Sequence, residues 1–204
     1  MTITWLGHAC FLVESGGYRV IIDPCKGVPG VPDTAGTAEK ILCSHSHFDH
    51  CYTEKICILD AEACPFTVRE IQSFHDDAGG TKRGANTIHV LTAGNITVVH
   101  LGDLGHLLSE EQVAAIGRCD VLLIPVGGTY TLDVHAAKKV AEQLSPRLIC
   151  PMHYRRSDMG FEVLQTVDEF TAQYSESSIR KLNGSTLTLT EDVLTTGGIA
   201  VFHL

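Results

Sequence analysis

The sequence has no hydrophobic run long enough to cross a bilayer. Its longest apolar stretches, such as Val121–Ile124, are far shorter than the ~20 residues of a transmembrane helix. The N-terminal residues also lack the basic flank of a secretory signal peptide. We therefore expect a cytoplasmic protein without a membrane partner.

Positive charge is scarce as well. Lys and Arg number 15 against 24 Asp and Glu, which gives a net charge of −9 at pH 7. Contacts with the phosphates of a nucleic acid require an excess of Lys and Arg over Asp and Glu. We therefore expect no nucleic-acid partner. A small anionic substrate is still compatible with this charge, since bound metal cations can reverse the local potential.

Closely spaced cysteine pairs are missing too. The eight cysteines include no Cys-x-x-Cys pair, which argues against a zinc knuckle or a thioredoxin-type site and favours free thiols. Hydrophobic residues make up 44% of the 204 residues, an ordinary value for a globular protein, so we expect one domain over 1–204. The abundant residue is histidine, with eleven copies.

The distribution of apolar residues predicts strands in the first half and strand–helix alternation in the second. Predicted strands span residues 2–15, 18–23, 40–43, 86–93, 96–101, 120–126 and 147–152. Residues 66–74 fit a strand or a helix, and we favour a strand. Predicted helices span residues 109–117, 133–144 and 160–174, and the tail, 185–204, reads as two short strands. The sequence therefore predicts an α+β domain with two sheets.

One motif dominates the polar residues. His45-x-His47-x-Asp49-His50 follows a predicted buried strand and holds three imidazoles and a carboxylate within six residues. Residues 45 and 47 share a face of an extended chain, so both rings can reach one ion. Asp49 and His50 come where the chain turns and can reach a second ion. Imidazole with carboxylate suits zinc, manganese, iron or nickel.

This motif resembles the signature of the metallo-β-lactamase-fold hydrolases. Further similarities are Ile22-Asp23-Pro24, Gly102-Asp103 and Pro151-Met152-His153-Tyr154. The opening Leu6-Gly7-His8-Ala9 is similar to the small subgroup near the ascorbate-6-phosphate lactonases. The resemblance implies a four-layer αβ/βα sandwich with a two-metal site at the edge of the sheets.

The resemblance also implies a ligand set. One metal would take His45, His47 and a third histidine, and the second would take Asp49, His50 and His153, with Asp103 bridging both. His75, at the end of a predicted strand, is our choice for the third histidine, and His100 is the rival. Asp23 is expected to orient the ligand loop, as carboxylates behind metal ligands commonly do.

Two such ions imply a hydrolase that uses a metal-bridging hydroxide. We expect Zn²⁺, with Mn²⁺, Fe²⁺ or Ni²⁺ as alternatives. Its substrate would be a small ester, lactone, thioester or phosphoester. The alternatives are a non-hydrolytic di-iron oxidoreductase and a metal-binding module without turnover. A homo-oligomer is compatible with the resemblance, since such relatives range from monomers to higher oligomers.

Catalysis would centre on Asp49 and Asp103. It would also need a hydrogen-bond donor for the substrate and an acid for the leaving group. We expect His8 and Tyr154 in these roles, with further candidates at His100, His106 and Tyr130. The alternative for His8 is a core histidine whose hydrogen bonds are satisfied. Cations that could bind an anionic substrate are Lys82, Arg83, Arg155 and Arg156.

Overall fold

The structure, a computed structural model, describes residues 1–61 and 63–204. Within these residues the chain forms fourteen β-strands, four α-helices and one 3₁₀-helix, Glu176–Ser178. The strands are β1 (Thr2–Gly7), β2 (Cys10–Ser15), β3 (Tyr18–Ile22), β4 (Gly36–Ala38), β5 (Lys40–Leu42), β6 (Ile56–Ile58), β7 (Thr67–Phe74), β8 (Ala85–Ala93), β9 (Ile96–His100), β10 (Val121–Pro125), β11 (Leu148–Met152), β12 (Ile179–Lys181), β13 (Thr186–Thr188) and β14 (Gly198–Val201). The α-helices are α1 (Glu110–Ile116), α2 (Val134–Leu144), α3 (Val167–Thr171) and α4 (Glu191–Thr196).

Two mixed sheets form the body of the protein. The first has five strands in the order β13-β1-β2-β3-β5, and the second has seven in the order β12-β14-β11-β10-β9-β8-β7. A small parallel pair, β4 and β6, lies apart from them. This is the α+β arrangement of two sheets that the sequence predicts.

The hydrophobic core lies between the two sheets. Phe11 of β2 packs edge-on against His100 of β9 and against Phe202, with ring centroids 6.2 and 5.9 Å apart. Helices α1 and α2 contact β7 and β10 of the seven-stranded sheet. Helix α2 buries Ala137, Val140, Ala141 and Leu144, the i, i+3, i+4, i+7 stripe of an amphipathic helix.

The strand directions create one edge where polar side chains meet. Strands β9, β10 and β11 are parallel, and β7 runs with them because it is antiparallel to β8, which is itself antiparallel to β9. The carboxyl ends of these strands therefore share one edge. His75, Asp103 and His153 follow β7, β9 and β11 respectively at that edge.

Three segments differ from the prediction. Residues 2–15 are two strands instead of one, because the chain reverses at His8-Ala9 and β1 pairs with β2. The helix predicted over 160–174 is only α3, since Thr166 caps it and the preceding Gln165 donates its N–H to the carbonyl of Gly127. The tail contains α4 between its two strands, with Thr190 as the helix cap.

The remaining secondary-structure predictions agree closely with the structure. The Ser109–Gln112 capping box begins α1, and the Asp133 carboxylate accepts the N–H groups of His135 and Ala136 at the start of α2. All eight cysteines are free thiols, as expected. Among the described residues, no helix combines the length and apolarity that a membrane span requires.

Candidate metal centre

The histidine-rich loop after β5 is held in place by one buried carboxylate. Asp23 accepts hydrogen bonds from the N–H and hydroxyl of Ser44, both at 2.6 Å, and from Nδ1 of His50 at 2.8 Å. Because Nδ1 of His50 donates to Asp23, its Nε2 is left free to bind a metal. The role predicted for Asp23 is confirmed by these contacts.

Three histidines form the first group of donor atoms. Nε2 of His45 lies 3.0 Å from Nδ1 of His47, and both rings pack against the ring of His75 at centroid distances of 4.8 and 5.4 Å. His75 donates from Nδ1 to the carbonyl of Tyr130 at 3.0 Å, which directs its Nε2 into the group. One ligand atom from each residue lies within 4.8 Å of the others.

The geometry favours His75 over His100 as the third histidine. Both ring nitrogens of His100 already have partners: Nε2 donates to the carbonyl of Ala9 at 2.8 Å, and Nδ1 accepts the N–H of Gly102 at 3.0 Å. His100 is fully buried and holds the β1–β2 turn against the second sheet. It therefore acts as a structural residue beside the donors.

A second group of donors lies deeper. Asp49, His50 and His153 each contribute one atom within 4.8 Å of the others, and His8 joins them. The ring of His8 lies 4.0 Å from that of His153 and 5.3 Å from that of His50, between centroids. His8, His50 and His153 are all at most 1% exposed.

Asp103 lies between the two groups. Its Oδ2 is 3.1 Å from Nε2 of His75 and 3.3 Å from Nε2 of His153, while its Oδ1 is 3.2 Å from Nε2 of His50. The carboxylate thus faces donors of both groups at once. Its backbone N–H donates to the side-chain carbonyl of Asn86 at 2.9 Å, which fixes its position after β9.

The cluster is electrostatically organised around this carboxylate. Burial raises the pKa of Asp103, but the rings of His153 and His50 outweigh burial and hold it well below its ordinary value. Burial likewise lowers the pKa of His50, and the Asp103 carboxylate reverses this so that the pKa is raised. At His45 burial dominates, followed by repulsion from His50, and the pKa falls to about 4.

Several of these buried atoms lack a hydrogen-bond partner. Nε2 of His50, Oδ1 of Asp103 and Nδ1 of His153 have none with acceptable geometry. Uncompensated polar atoms are costly in a protein interior, and a cluster of nitrogen and carboxylate donors is the arrangement that divalent metals bind. The residues present therefore fit a metal centre.

Strained backbone is concentrated at the same place. Among the described residues, five other than glycine have positive φ, and four of them lie at or beside this centre: His8, Asp23, Thr129 and His153. Such conformations cost free energy and persist where the surrounding structure enforces them, commonly at functional sites. The fifth, Ser145, ends α2.

A cavity of about 410 Å³ opens onto donors of both groups. It is lined by His47, Phe48, Asp49, His75, Arg83, Asp103, Tyr130, His153 and Phe161. Arg83 is the only Lys or Arg among these lining residues. Its guanidinium lies 5.7 Å from the centre of the Tyr130 ring and donates to the carbonyl of Thr129 at 2.9 Å. The cavity therefore combines apolar walls, one cation and the metal-binding side chains.

Other residues predicted at the site lie elsewhere. Tyr154 is 1% exposed and stacks on Trp5 at 5.5 Å, so it does not line the cavity, and the prediction that it acts on substrate is not supported. His153 lies beyond the end of β11 with a positive φ, and the chain that follows it places Tyr154 against Trp5 in the core. His106 does not line the cavity either, and its Nε2 accepts the N–H of Phe74.

His8 also differs from both expectations. It is fully buried behind Asp49 and does not line the cavity, yet neither ring nitrogen has a hydrogen-bond partner. It is therefore not a satisfied core histidine. Burial, together with the nearby ring of His153, lowers its pKa to about 3.

Three of the four cations predicted near an anionic substrate do not line the cavity. Lys82 pairs with Asp77, Arg156 with Asp158, and Arg155 donates to the carbonyl of Leu164. Of the four, only Arg83 lines the cavity.

Sequence reasoning missed three residues that shape the centre. Asn86 bonds Asp103, Ser44 bonds Asp23, and Phe161 covers His8 edge-on at 5.7 Å. Ser44 directly precedes the histidine motif and could have been noticed there. Asn86 begins a predicted strand and Phe161 lies in a segment predicted as helix, so neither carried a local signal.

Comparison with known proteins agrees with this geometry. A model of the beta-lactamase superfamily domain matches residues 2–153. A UPF0173 protein of Pyrococcus furiosus is 35% identical over 76% of this chain and 83% of its own length. A UPF0173 metal-dependent hydrolase of Carboxydothermus hydrogenoformans is 32% identical over 76% of this chain and 84% of its own.

A solved structure extends the likeness to the whole fold. A Thermotoga maritima protein, assigned as a Zn-dependent hydrolase of the metallo-β-lactamase superfamily, is 33% identical, with a TM-score of 0.77 over 98% of this chain and 97% of its own. The predicted fold family is thereby confirmed. The chain belongs to the metallo-β-lactamase superfamily and, within it, to the UPF0173 family of metal-dependent hydrolases.

Proposed function

We propose that this protein is a binuclear metal-dependent hydrolase of a small molecule. The observation that carries the proposal is the position of Asp103, whose carboxylate lies 3.1–3.3 Å from nitrogens of His75, His50 and His153. A carboxylate that faces two groups of imidazole nitrogens is suited to bridge two cations.

In this proposal His45, His47 and His75 hold one ion, Asp49, His50 and His153 hold the other, and Asp103 contacts both. Zn²⁺ is the metal that this set of imidazoles and carboxylates fits best, with Mn²⁺, Fe²⁺ and Ni²⁺ as alternatives. Bound divalent cations would acidify water into a nucleophile and polarise the substrate oxygen. The two donor groups are held by strand ends, so the ligands are preorganised.

The protein's own residues determine what reaches this centre. Phe48 and Phe161 supply apolar surface to the cavity, and Arg83 supplies a positive charge at its wall. We infer a small substrate that carries an anionic group beside its ester, lactone, thioester or phosphoester bond. Tyr130, which lines the same cavity, is the candidate donor to the substrate or leaving group.

The proposed substrate class and partners rest on features of the sequence. The similarity of Leu6-Gly7-His8-Ala9 to the ascorbate-6-phosphate lactonases makes phosphorylated lactones the first substrates to test. We propose that residues 1–204 act as one cytoplasmic domain, without nucleic-acid or membrane partners, as a monomer or a homo-oligomer. The net charge of −9 supports the absence of a nucleic-acid partner.

The test is metal content with Asp103→Asn. Protein purified without added metal is measured by mass spectrometry beside this variant and beside Asp120→Asn. Asp120 is a suitable control because it is equally buried but precedes β10, at the opposite edge of the sheet. We expect about two ions per chain in the wild type and in the control, and at most one in Asp103→Asn.

Activity is then measured on a panel of esters, lactones, thioesters and phosphoesters with the native metal. Turnover that disappears in Asp103→Asn and persists in Asp120→Asn supports the hydrolase. Metal content that Asp103→Asn leaves unchanged would contradict the bridge. If iron is the native metal and no substrate turns over, oxygen consumption with a reductant would favour an oxidoreductase instead.

A further inference from the structure

His8 is a buried histidine at this centre that the metal assignment above leaves unused and that, unlike His100, has no hydrogen-bond partner. It is fully buried, and neither Nδ1 nor Nε2 has a hydrogen-bond partner. A neutral imidazole has one donor and one acceptor nitrogen, so this arrangement wastes two hydrogen bonds. Native interiors rarely leave such atoms without a partner, and a metal-binding role is one of the recognised reasons for an exception.

The backbone holds His8 firmly in this position. Its φ of 54° is uncommon for a residue other than glycine. Its carbonyl accepts two hydrogen bonds, from the indole of Trp5 at 3.0 Å and from the N–H of His153 at 3.1 Å. The second bond ties the β1–β2 turn directly to a proposed metal ligand. The turn is therefore built to place this ring at the centre.

The distance to Asp49 decides between a hydrogen bond and a shared ion. Nε2 of His8 lies 3.4 Å from Oδ2 of Asp49. A hydrogen bond from an N–H group to a carboxylate oxygen is shorter, about 2.7–3.2 Å. Two donors bound about 2.1 Å from one ion lie about 3.0–3.4 Å apart for angles between 90° and tetrahedral.

The same spacing recurs between the other proposed ligands. His75 and Asp103 are 3.1 Å apart, His50 and Asp103 3.2 Å, and His153 and Asp103 3.3 Å, each between nitrogen and oxygen. His8 also keeps one ligand atom within 4.8 Å of those of Asp49, His50 and His153. Its geometry is that of a ligand.

We propose that Nε2 of His8 is a protein ligand of the second ion, together with Asp49, His50, His153 and Asp103. This inference rests on the proposed binuclear centre. It gives the deeper ion three imidazoles and two carboxylates, one donor more than the first ion has from the protein. It also assigns His8 a role other than acid or base toward the substrate, in keeping with its position outside the cavity lining.

The ligand set implies a particular class of metal. Three imidazoles favour zinc, iron, cobalt or nickel over magnesium and calcium, which prefer all-oxygen sites. The additional donor also leaves less of the deeper ion open to solvent. We therefore expect the deeper ion to be the more slowly exchanging of the two.

The direct test is NMR of ¹⁵N-labelled wild-type protein loaded with ¹¹³Cd²⁺, a spin-active substitute for zinc. We expect a one-bond coupling between Nε2 of His8 and the same ¹¹³Cd that couples to the rings of His50 and His153. A His8 ring that keeps its proton on Nε2 and shows no coupling would make it a hydrogen-bond donor to Asp49 and would overturn the inference.

The outcome separates this inference from the proposed function. Two bound ¹¹³Cd ions with an uncoupled His8 would refute the inference alone. Failure to bind any ¹¹³Cd at the histidines and Asp103 would refute both. A signal from only one ion, with His8 coupled, would support the ligand role and contradict the binuclear centre.

A pair of variants provides a second measurement. His8→Asn suits the turn, because Asn tolerates positive φ better than most residues. His89→Gln is the control, since His89 on β8 is also 1% exposed with both ring nitrogens unpartnered but lies outside the donor groups. Both variants are checked for folding by circular dichroism before metal is titrated against a competing chelator.

We expect His8→Asn to lower the affinity for one of the two ions by more than 100-fold. The affinity for the other ion, and both affinities of the control, should stay within about threefold of the wild type. Loss of a contact behind a ligand costs 10–100-fold in metal affinity. A loss of 100-fold or less would therefore assign His8 to positioning Asp49 and would overturn the ligand role.

Discussion

The two halves of the metal centre are built differently. In the first group, His47 and His75 line the cavity, and His47 is exposed. In the second group, Asp49 and His153 line the same cavity, whereas His8 and His50 are fully buried and do not. Both use imidazoles, but only the second is backed by a fully buried carboxylate, Asp23. The centre thus combines donors on a cavity wall with histidines in the protein interior.

Because of this difference, some ligands should matter only for metal binding, whereas others should also stabilise the fold. A ligand on the cavity wall can be lost without disturbing the core, because water replaces its contacts. A buried ligand is also a packing and hydrogen-bonding element, so its loss leaves partners unsatisfied.

The largest contrast is expected between His50→Ala and His47→Asn in metal-free protein. His50→Ala removes the donor that Asp23 uses at 2.8 Å and leaves a buried carboxylate without its cationic partner. We expect a loss of about 3 kcal/mol in the free energy of unfolding, because breaking a buried pair is expensive. His47→Asn should cost less than about 0.5 kcal/mol, as is usual for an exposed site.

Urea unfolding of both variants, with a chelator present throughout, measures the two values. Comparable costs for His47→Asn and His50→Ala would show that the two halves do not differ in this way. Addition of metal then gives the complementary result, since both variants should lose affinity for one ion.

The second contrast is between the carboxylates that support each half. Asp23 orients His50, whereas Asp76 accepts the N–H groups of residues 78, 80, 82 and 83 and so holds the loop between His75 and Arg83. We expect Asp23→Asn to lower the affinity for the deeper ion by 10–100-fold, as for other hydrogen-bond partners of ligand histidines.

Asp76→Asn should act on the loop instead. Backbone amides 78–83 are expected to exchange hydrogen faster, and the affinity of the deeper ion should stay within about threefold of the wild type. Hydrogen exchange by mass spectrometry and the chelator titration measure both effects. Loss of the deeper ion in Asp76→Asn would mean that the two supports are coupled.

The third prediction concerns the cavity side alone. Arg83→Gln removes the positive charge beside Tyr130 and leaves every proposed ligand in place. We expect binding of inorganic phosphate to the metal-loaded protein to weaken about tenfold, roughly 1.4 kcal/mol, with unchanged metal content. Lys82→Gln is the control, because Lys82 pairs with Asp77 outside the cavity. Equal effects of the two substitutions, measured by calorimetry, would indicate general charge attraction instead of a binding group.

Much of this organisation could be predicted from the sequence. The spacing within His45-x-His47-x-Asp49-His50 brings the rings of His45 and His47 together. Strand ends place His75, Asp103 and His153 at one edge of the sheet. Local signals also fixed α1 and α2, through the caps Ser109 and Asp133.

The errors came from contacts between distant parts of the chain. The reversal at His8 has no typical turn sequence and depends on the bond from His153 to its carbonyl. Phe161 suited a helix by its apolar spacing, yet the segment is held open by the contact of Gln165 with Gly127. Such tertiary contacts override local propensity, and a single sequence does not display them.

The smallest effect is expected at Tyr154, which follows a proposed ligand but faces the core. Its hydroxyl is buried without a partner, and burial raises its pKa above the ordinary value. Tyr154→Phe keeps the stacking on Trp5 and removes only this unsatisfied group. We expect the free energy of unfolding to stay level or to rise by up to about 1 kcal/mol, with metal content and turnover unchanged, because an unpaired buried hydroxyl costs stability. Chemical denaturation and the substrate panel provide the measurement. A clear loss of turnover at undiminished stability would instead place Tyr154 among the catalytic residues.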